Sequence, residues 1–224
     1  MIDSILYFGR SGCNFSKKIH LLLKSNFKKV HYFESTTQNE KFKFKDIGKV
    51  DYIFSFRNLY ILKKNLLNKV NNFAINFHPG IPRYRGIGCL NFALYENSKE
   101  YGSTAHIMTS KIDGGKILNV KKFAINKNDK VEKVLKKTHK IMFIQAKEII
   151  NKIITDENYI TKIIEDNNTI TWSKKLYKRK KLNKMRLISK NISSKELEKR
   201  IRAFTYKDYK IHIKIHNKIF RIHD

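Results

Sequence analysis

Apolar positions along the chain follow two periods, and the switches between them mark out the elements. "DSILYFG" (3–9), "KVHYFES" (29–35), "VDYIFSF" (50–56) and "FAINFH" (73–78) are short apolar or alternating runs bounded by polar stretches, the pattern of strands. Between them the spacing becomes helical. Ile19, Leu22 and Leu23 share one face behind Ser16, a candidate N-cap, and "LKKNLLNKV" (62–70) predicts a short helix. Strands alternating with helices predict βαβ units and an α/β fold with a largely parallel, doubly wound sheet.

The second half changes character. "GCLNFALYENS" (88–98) predicts a helix, and "GSTAHIMTS" (102–110) and "KILNVKKFAI" (116–125) predict strands around a turn at "KIDGG". Asp129 followed by Glu132 offers a capping box for a long helix carrying Val131, Val134, Leu135, Ile141, Met142, Ile149 and Ile153. From about residue 155 the pattern reads as a polar connector that includes "KLYKRKKLNK" (175–184). Ser193 and Glu196 offer a second capping box, with Leu197, Ile201 and Phe204 on one helix face. "KIHIKIHNKIFRIH" alternates around a His-Asn turn and predicts a hairpin. The expected division is a core over 1–155 and a connector, helix and hairpin over 156–224. A lone hairpin is marginal in water. Ile211, Ile213, Ile215, Ile219 and Ile222, read as sharing one face, therefore need a second surface, either the chain's own core or another copy.

Composition alters this picture little. Apolar residues make up 41% of the 224, enough for a sizeable core. The absence of a long apolar run and the presence of only two cysteines suggest a soluble protein of a reducing cytoplasm, with no membrane partner. The formal charge of +29 points first to nucleic acid. However, the 48 basic residues include only 9 Arg, the residue suited to planar phosphate and base recognition. Lys, Ile and Asn share A/T-rich codons, so a biased genome explains the excess, and no specific nucleic-acid partner is expected.

Candidate chemistry concentrates in "INFHPGIPRYRG" (75–86), which holds both prolines of the chain. A strand ending at Phe77 delivers Asn76 and His78 to the carboxyl edge of the sheet, both on one face. Pro79 and Pro82 stiffen the loop that leaves that edge. Two readings fit: a held catalytic pair, or a polar strand end with an ordinary turn.

The wider window separates them. Asn76–Pro79 forms Asn-x-His-Pro, Tyr84–Gly86 forms Tyr-x-Gly, Gly102–His106 forms Gly-x-Thr-x-His, and Asp113–Gly115 forms Asp-x-Gly. In order and spacing these four elements resemble the core of the folate-dependent formyltransferases. "DYIFSFRNLYIL" (51–62) and, more weakly, "RIRAF" (200–204) extend the resemblance. It implies a Rossmann-like core and 10-formyltetrahydrofolate as formyl donor. It also implies that an amine attacks the formyl carbon, with Asn76 donating to the oxyanion. His78 then accepts the amine proton or stabilises the oxyanion when charged, and Asp113 orients the imidazole. By position, the donor pocket falls at Tyr60, Ile61, Leu62, Ile87 and the turn Thr109, Ser110, Lys111, Ile112. Tyr84, Arg85 and Gly86 are candidates for the acceptor side. The loop is one residue shorter than that of the best-known members, which affects Ile81 to Arg85.

Other features carry less. The Gly-rich "FGRSGCNFS" (8–16) lacks dinucleotide-loop spacing and reads as a strand-to-helix turn that could approach substrate through Arg10 or Asn14. His212, His216 and His223 have no Cys or carboxylate at ligand spacing, so they read as a solvent face and no metal is expected. Cys89 follows a glycine at a helix start, which can lower a thiol pKa, but it reads better as small-residue packing, and Trp172 as core packing. Among acceptors the family uses, the short loop, residues 86–102 and the "RIRAF" helix look most like sugar N-formyltransferases. The expectation is a nucleotide-linked amino-deoxysugar for surface polysaccharide, such as the O-antigen of lipopolysaccharide, and a homodimer built through the C-terminal region. The alternatives are a methionyl-tRNA formyltransferase-like enzyme, or a non-enzymatic basic RNA-binding protein on the same fold.

Overall fold

The computed structural model describes residues 2–38, 40–42, 47–166, 169–216 and 218–222. Its elements begin with β1 (Ser4–Arg10), α1 (Asn14–Asn26), β2 (Lys29–Ser35), β3 (Val50–Phe56), α2 (Lys64–Leu67) and β4 (Val70–His78). They continue with β5 (Arg85–Gly86), α3 (Cys89–Tyr95), β6 (Glu100–Ile107), β7 (Ile117–Ala124) and α4 (Val131–Thr155). The tail adds α5 (Tyr159–Glu165), β8 (Leu176–Tyr177), α6 (Arg179–Arg186), β9 (Leu187–Ile188), α7 (Ser194–Phe204), β10 (His212–Ile215) and β11 (Lys218–Arg221).

The central sheet runs β2-β1-β3-β4-β6-β7, its first four strands parallel and β6 antiparallel to both β4 and β7. Its strands read as apolar runs because both faces are covered. Ile5 and Tyr7 join the layer under α1 and α4, while Leu6 and Phe8 join Ile47 and Leu66 on the opposite face. The predicted strands at 29–35 and 50–56 are realised at those bounds.

Helix starts were less legible. Ser16 lies inside the first turn of α1 rather than at its cap, because the turn at Gly12 (φ 68°) starts the helix early. Its buried hydroxyl instead accepts the Arg10 N–H at 3.1 Å. Asp129 builds no capping box. Lys130 holds the cap position of α4, and the Asp129 carboxylate accepts the Asn126 N–H and pairs with Lys133 (2.8 Å) and Lys137 (3.4 Å). Ser193 does cap α7 through the Glu196 N–H (3.3 Å), but the Glu196 carboxylate turns to Arg200 and Tyr95 instead of closing the box. The expected short helix over 62–70 shrinks to Lys64–Leu67.

The stretch read as a polar connector contains α5, β8, α6 and β9. These elements escape a periodicity reading because they are anchored by single buried residues: Ile160 for α5, Tyr177 for β8, Leu182 for α6. Tyr177 and Leu182 join Tyr84, Phe92, Tyr101, Phe204 and Ile211 in a second core, so the tail packs on the chain's own α3 and α4. Arg202 rivets it there, donating to the carbonyls of Leu94 and Asp129 and to Asn97.

The expected hairpin forms from β10 and β11, with β9 pairing β10 on its other side. Its isoleucines do not share one face. Residues directly opposite in an antiparallel pair point the same way, and Ile219 opposes Lys214 while Phe220 opposes Ile213. Ile219 is thus out of phase with Ile211, Ile213, Ile215 and Ile222. Ile211 and Ile222 pack on the second core, whereas Ile219 and Phe220 remain exposed. His212 is half-buried and His216 exposed. His223, and Asn217 of the expected turn, lie outside the described residues. Among the described residues no helix is long and apolar enough to cross a membrane, and no His/Cys/Asp/Glu group could hold a metal ion.

Candidate active site

The pairing of β4 with β6 assembles the chemistry. Asn76 lies opposite His106, and His78 opposite Thr104, so two residues of β4 and two of β6 share one sheet face. The Asp113 turn, at positive φ (42°), folds back over them. Its Oδ1 lies 3.4 Å from His78 Nδ1 and 3.8 Å from His106 Nε2, and its Oδ2 accepts the Gly86 N–H at 2.8 Å.

Hydrogen-bond inventory fixes the two rings. A carbonyl only accepts, so His78 Nε2, 2.9 Å from the Tyr84 oxygen, carries a proton and donates it. With Nδ1 turned to Asp113, neither ring nitrogen presents a lone pair to the cavity. His106 Nδ1 donates in the same way to its neighbour's carbonyl on Ile107 (2.9 Å). Burial pushes the pKa of this ring well below its ordinary value, only partly offset by the Ile107 hydrogen bond and Asp113. Nε2 of His106 therefore keeps a lone pair, which accepts from the Asn76 amide at 3.1 Å. That bond fixes the Asn76 amide with its second N–H available to the cavity.

The two prolines now have a physical account. Ile81–Tyr84 is a turn closed by the Tyr84 N–H on the Ile81 carbonyl (2.8 Å), with Pro82 at the second position it favours. Four carbonyls of the loop are held: Pro79 by Tyr101 Oη (2.7 Å), Gly80 by Thr104 (2.7 Å), Pro82 by the Ser173 N–H (3.0 Å) and Tyr84 by His78. A Cβ on Gly80 would stand 2.7 Å from His78 Nε2, so only glycine leaves room for the imidazole.

These groups line a cavity of about 580 Å3 at the carboxyl edge of β3 and β4. Asn76, His78 and Asp113 line it, as do Tyr60, Ile61, Leu62, Ile87, Thr109, Ser110, Lys111, Ile112, Arg10 and Gly86 among the sequence candidates. Three candidates do not. The Tyr84 side chain is fully buried in the second core and donates to Glu96. Arg85 turns away to the carbonyls of Ser173 and Ile112. Asn14 sits exposed on α1, away from the cavity lining.

Sequence reasoning missed other contributors. His106 stood in the quoted Gly-x-Thr-x-His element without a role, and its pairing with Asn76 supplies one. Trp172 leaves the core-packing expectation behind. Its ring stands edge-on to His78 (5.6 Å between centroids) and to His106 (5.1 Å), and its indole N–H donates to Gly115 (2.7 Å). No local signal connects residue 172 with residue 78. Arg57 and His139 also line the cavity. Burial of His139, reinforced by the Arg57 charge, pushes its pKa down to about 3. Cys89 fits the packing reading: burial drives its thiol pKa upward, outweighing any helix-end effect, and its S–H donates to Gly86 (3.1 Å).

The family model for formyl transferase matches residues 14–154. A methionyl-tRNA formyltransferase of Buchnera aphidicola subspecies Acyrthosiphon pisum is 31% identical over 145 residues, 64% of this chain and 44% of that enzyme. The chain spans less than half the length of such curated relatives. Among solved structures, a 4-N formyltransferase from Francisella tularensis superposes with a TM-score of 0.76 at 21% identity, covering 98% of this chain and 96% of that one. An N-formyltransferase from Helicobacter canadensis, in complex with folinic acid and dTDP-3-aminofucose, gives 0.66 at 20% identity, covering 97% and 85%. A family match across more than half the residues, on a fold shared along nearly the whole length, places this chain in the formyl transferase family.

Proposed function

We propose that the protein transfers the formyl group of 10-formyltetrahydrofolate to the amino group of a nucleotide-linked amino-deoxysugar, a step toward surface polysaccharide. The observation that carries this reading is the Asn76–His78–Asp113 cluster at the floor of the 580 Å3 cavity. The cavity suits the donor. Ile61 and Ile112, 61% and 60% exposed, both line it and offer apolar surface that a flat ring would cover. Tyr60, Ile61, Leu62 and Thr109 to Ile112 would hold that ring, much of the contact being backbone.

When bound, the donor supplies an activated formyl carbon for attack by the amine. The Asn76 amide, preset by His106, aims its free N–H at the oxygen on which charge develops. Because both nitrogens of His78 are already engaged, the role this ring can take without moving is to stabilise that charge. Asp113 holds the ring in place and is the nearest carboxylate for the amine proton. The better superposition on a sugar N-formyltransferase (TM-score 0.74) than on a methionyl-tRNA formyltransferase matched over equal length (0.65) supports an amino sugar as acceptor. The test is an assay with 10-formyltetrahydrofolate and a panel of nucleotide-linked amino sugars, with methionyl-tRNA as the competing acceptor. Turnover of an amino sugar is expected; formylation of the tRNA alone would overturn the acceptor assignment.

A further inference from the structure

The short strand β5 makes bonds on both of its sides. On one it runs parallel to β8, Arg85 beside Leu176 and Gly86 beside Tyr177, and the Ile87 N–H donates to the Tyr177 carbonyl at 2.9 Å. On the other, the Gly86 N–H is the donor that holds Asp113 Oδ2 (2.8 Å). Glycine is required here because, at φ 89°, a Cβ would collide with the Tyr177 carbonyl. The tail segment that includes Trp172 and Ser173 is thereby brought to the turn that carries Asp113.

That turn is held on either side of its carboxylate. Before Asp113, the Ile112 carbonyl accepts from Arg85 Nη2 at 2.8 Å. After it, the Gly115 carbonyl accepts the Trp172 indole N–H at 2.7 Å. The two holders are themselves joined. Arg85 Nη1 donates to the carbonyl of Ser173, the residue after Trp172, at 2.9 Å, and the guanidinium carbon lies 5.9 Å from the indole centroid. The Ser173 N–H donates to Pro82 (3.0 Å), which ties the same segment to the proline loop. Arg85 Nε is buried without a hydrogen-bond partner. A buried donor left unmet is costly, and what this placement gains is the pair of carbonyl bonds.

Asp113 needs such holding for two reasons. It is a non-glycine residue at φ 42°, a left-handed conformation that persists only where the surroundings impose it. Its Oδ1 lies 3.4 Å from His78 Nδ1, at the long end of the hydrogen-bond range, so a small shift of the turn loses the contact. We propose that Arg85 and Trp172 are positioning residues for formyl transfer, clamping the Asp113 turn from both ends so that its carboxylate meets the His78 imidazole. This rests on the function proposed above for what the His78–Asp113 pair does. Both residues act through Asp113. Lysine does not replace Arg85 in this role, because an ammonium is a single point where the guanidinium is a planar fork whose two nitrogens face different segments.

Steady-state kinetics of the full chain tests the clamp through a mutant cycle with Asp113→Asn. Arg85→Lys keeps the charge and loses the fork, and Trp172→Phe keeps an aromatic ring and loses the N–H. Each is expected to lower kcat about tenfold or more while leaving the KM of the amino sugar within about twofold. In the Asp113→Asn background the same substitutions should lower kcat by less than about twofold, because the carboxylate they position is already gone. Equal falls in the two backgrounds overturn the proposal, since residues that merely stabilise the fold act alike in both. A second readout needs no turnover: nitrogen NMR of isotopically labelled histidine, with the His78 signals identified by their loss in His78→Ala. Both variants should shift the His78 ring nitrogens, and if one fails to fold the other carries the test. Unmoved His78 signals in a folded variant overturn the clamp. The two readings fail separately, for a parent chain that formylates no acceptor removes the proposed function while the histidine spectrum still decides the clamp.

Discussion

In the central sheet Ile5, Leu6, Tyr7 and Phe8 are buried in succession, whereas in the tail burial comes one residue at a time, at Tyr177, Leu182, Phe204 and Ile211. Each fully buried large apolar side chain contributes about 1.5–3 kcal/mol, so the sheet has stability spread over many positions and the tail over few. The tail compensates with directed bonds. Arg202 reaches α3 and the start of α4, and Asn91 donates to the Ala203 carbonyl (2.6 Å). On the proposed function the difference sorts roles as well: strand pairing fixes Asn76 and His78 at the sheet edge, and the tail brings Trp172 beside His78.

The largest effect expected of that division is chemical and confined to the sheet edge. His78→Ala and Asp113→Asn should each lower formyl transfer at least about a hundredfold, with a melting temperature near that of the parent. Near-normal turnover in either would falsify the roles given to the pair. Next comes the rivet. Arg202→Ala frees several carbonyls at once and should cost about 1–3 kcal/mol, seen as faster amide exchange in the tail than in β1, β3 and β4. Uniform loss of protection across both regions would show that they do not differ in the way argued.

Acid sharpens the comparison further. Burial alone would raise the Asp129 carboxyl, but Lys133, the Asn126 N–H and Lys137 outweigh it and hold its pKa at about 2, against an ordinary 3.8. A carboxyl depressed in the folded state stabilises at pH above its unfolded pKa. That contribution is lost as pH falls from about 4 through 2. Because Lys133 is mostly exposed, the contribution is about 1–2 kcal/mol. Asp129→Asn should flatten the pH dependence of chemical denaturation in that window, and an unchanged slope would remove Asp129 from the account. The smallest effect concerns assembly. If exposed Ile219 and Phe220 on the edge strand β11 meet a second copy, as proposed for the homodimer, Phe220→Lys should halve the mass seen by light scattering. A parent chain that is already monomeric would rule that pairing out.

How much could be read in advance follows the same line. Asn76 and His78 were legible because a strand repeats every second residue, and the loop because proline restricts its neighbours. The helix caps misled because Ser16 and Asp129 each had a better partner than the helix end, Arg10 N–H for one and Asn126 N–H with two lysines for the other. The tail stayed obscure because one buried residue per element leaves no period to detect. Ile219 was misplaced by counting isoleucines and not strand parity. Trp172 was read as core packing because the contact that defines its place reaches back 94 residues to His78.

Trp172 has a consequence for the order in which the molecule is finished. A ribosome releases β4 and β6 long before residue 172, so this sheet edge leaves it before the indole that covers His78 and His106 has been made. Only when the later segment docks does the indole close against both rings and hand its N–H to Gly115. A chain interrupted before that point lacks the indole that packs edge-on against both imidazoles.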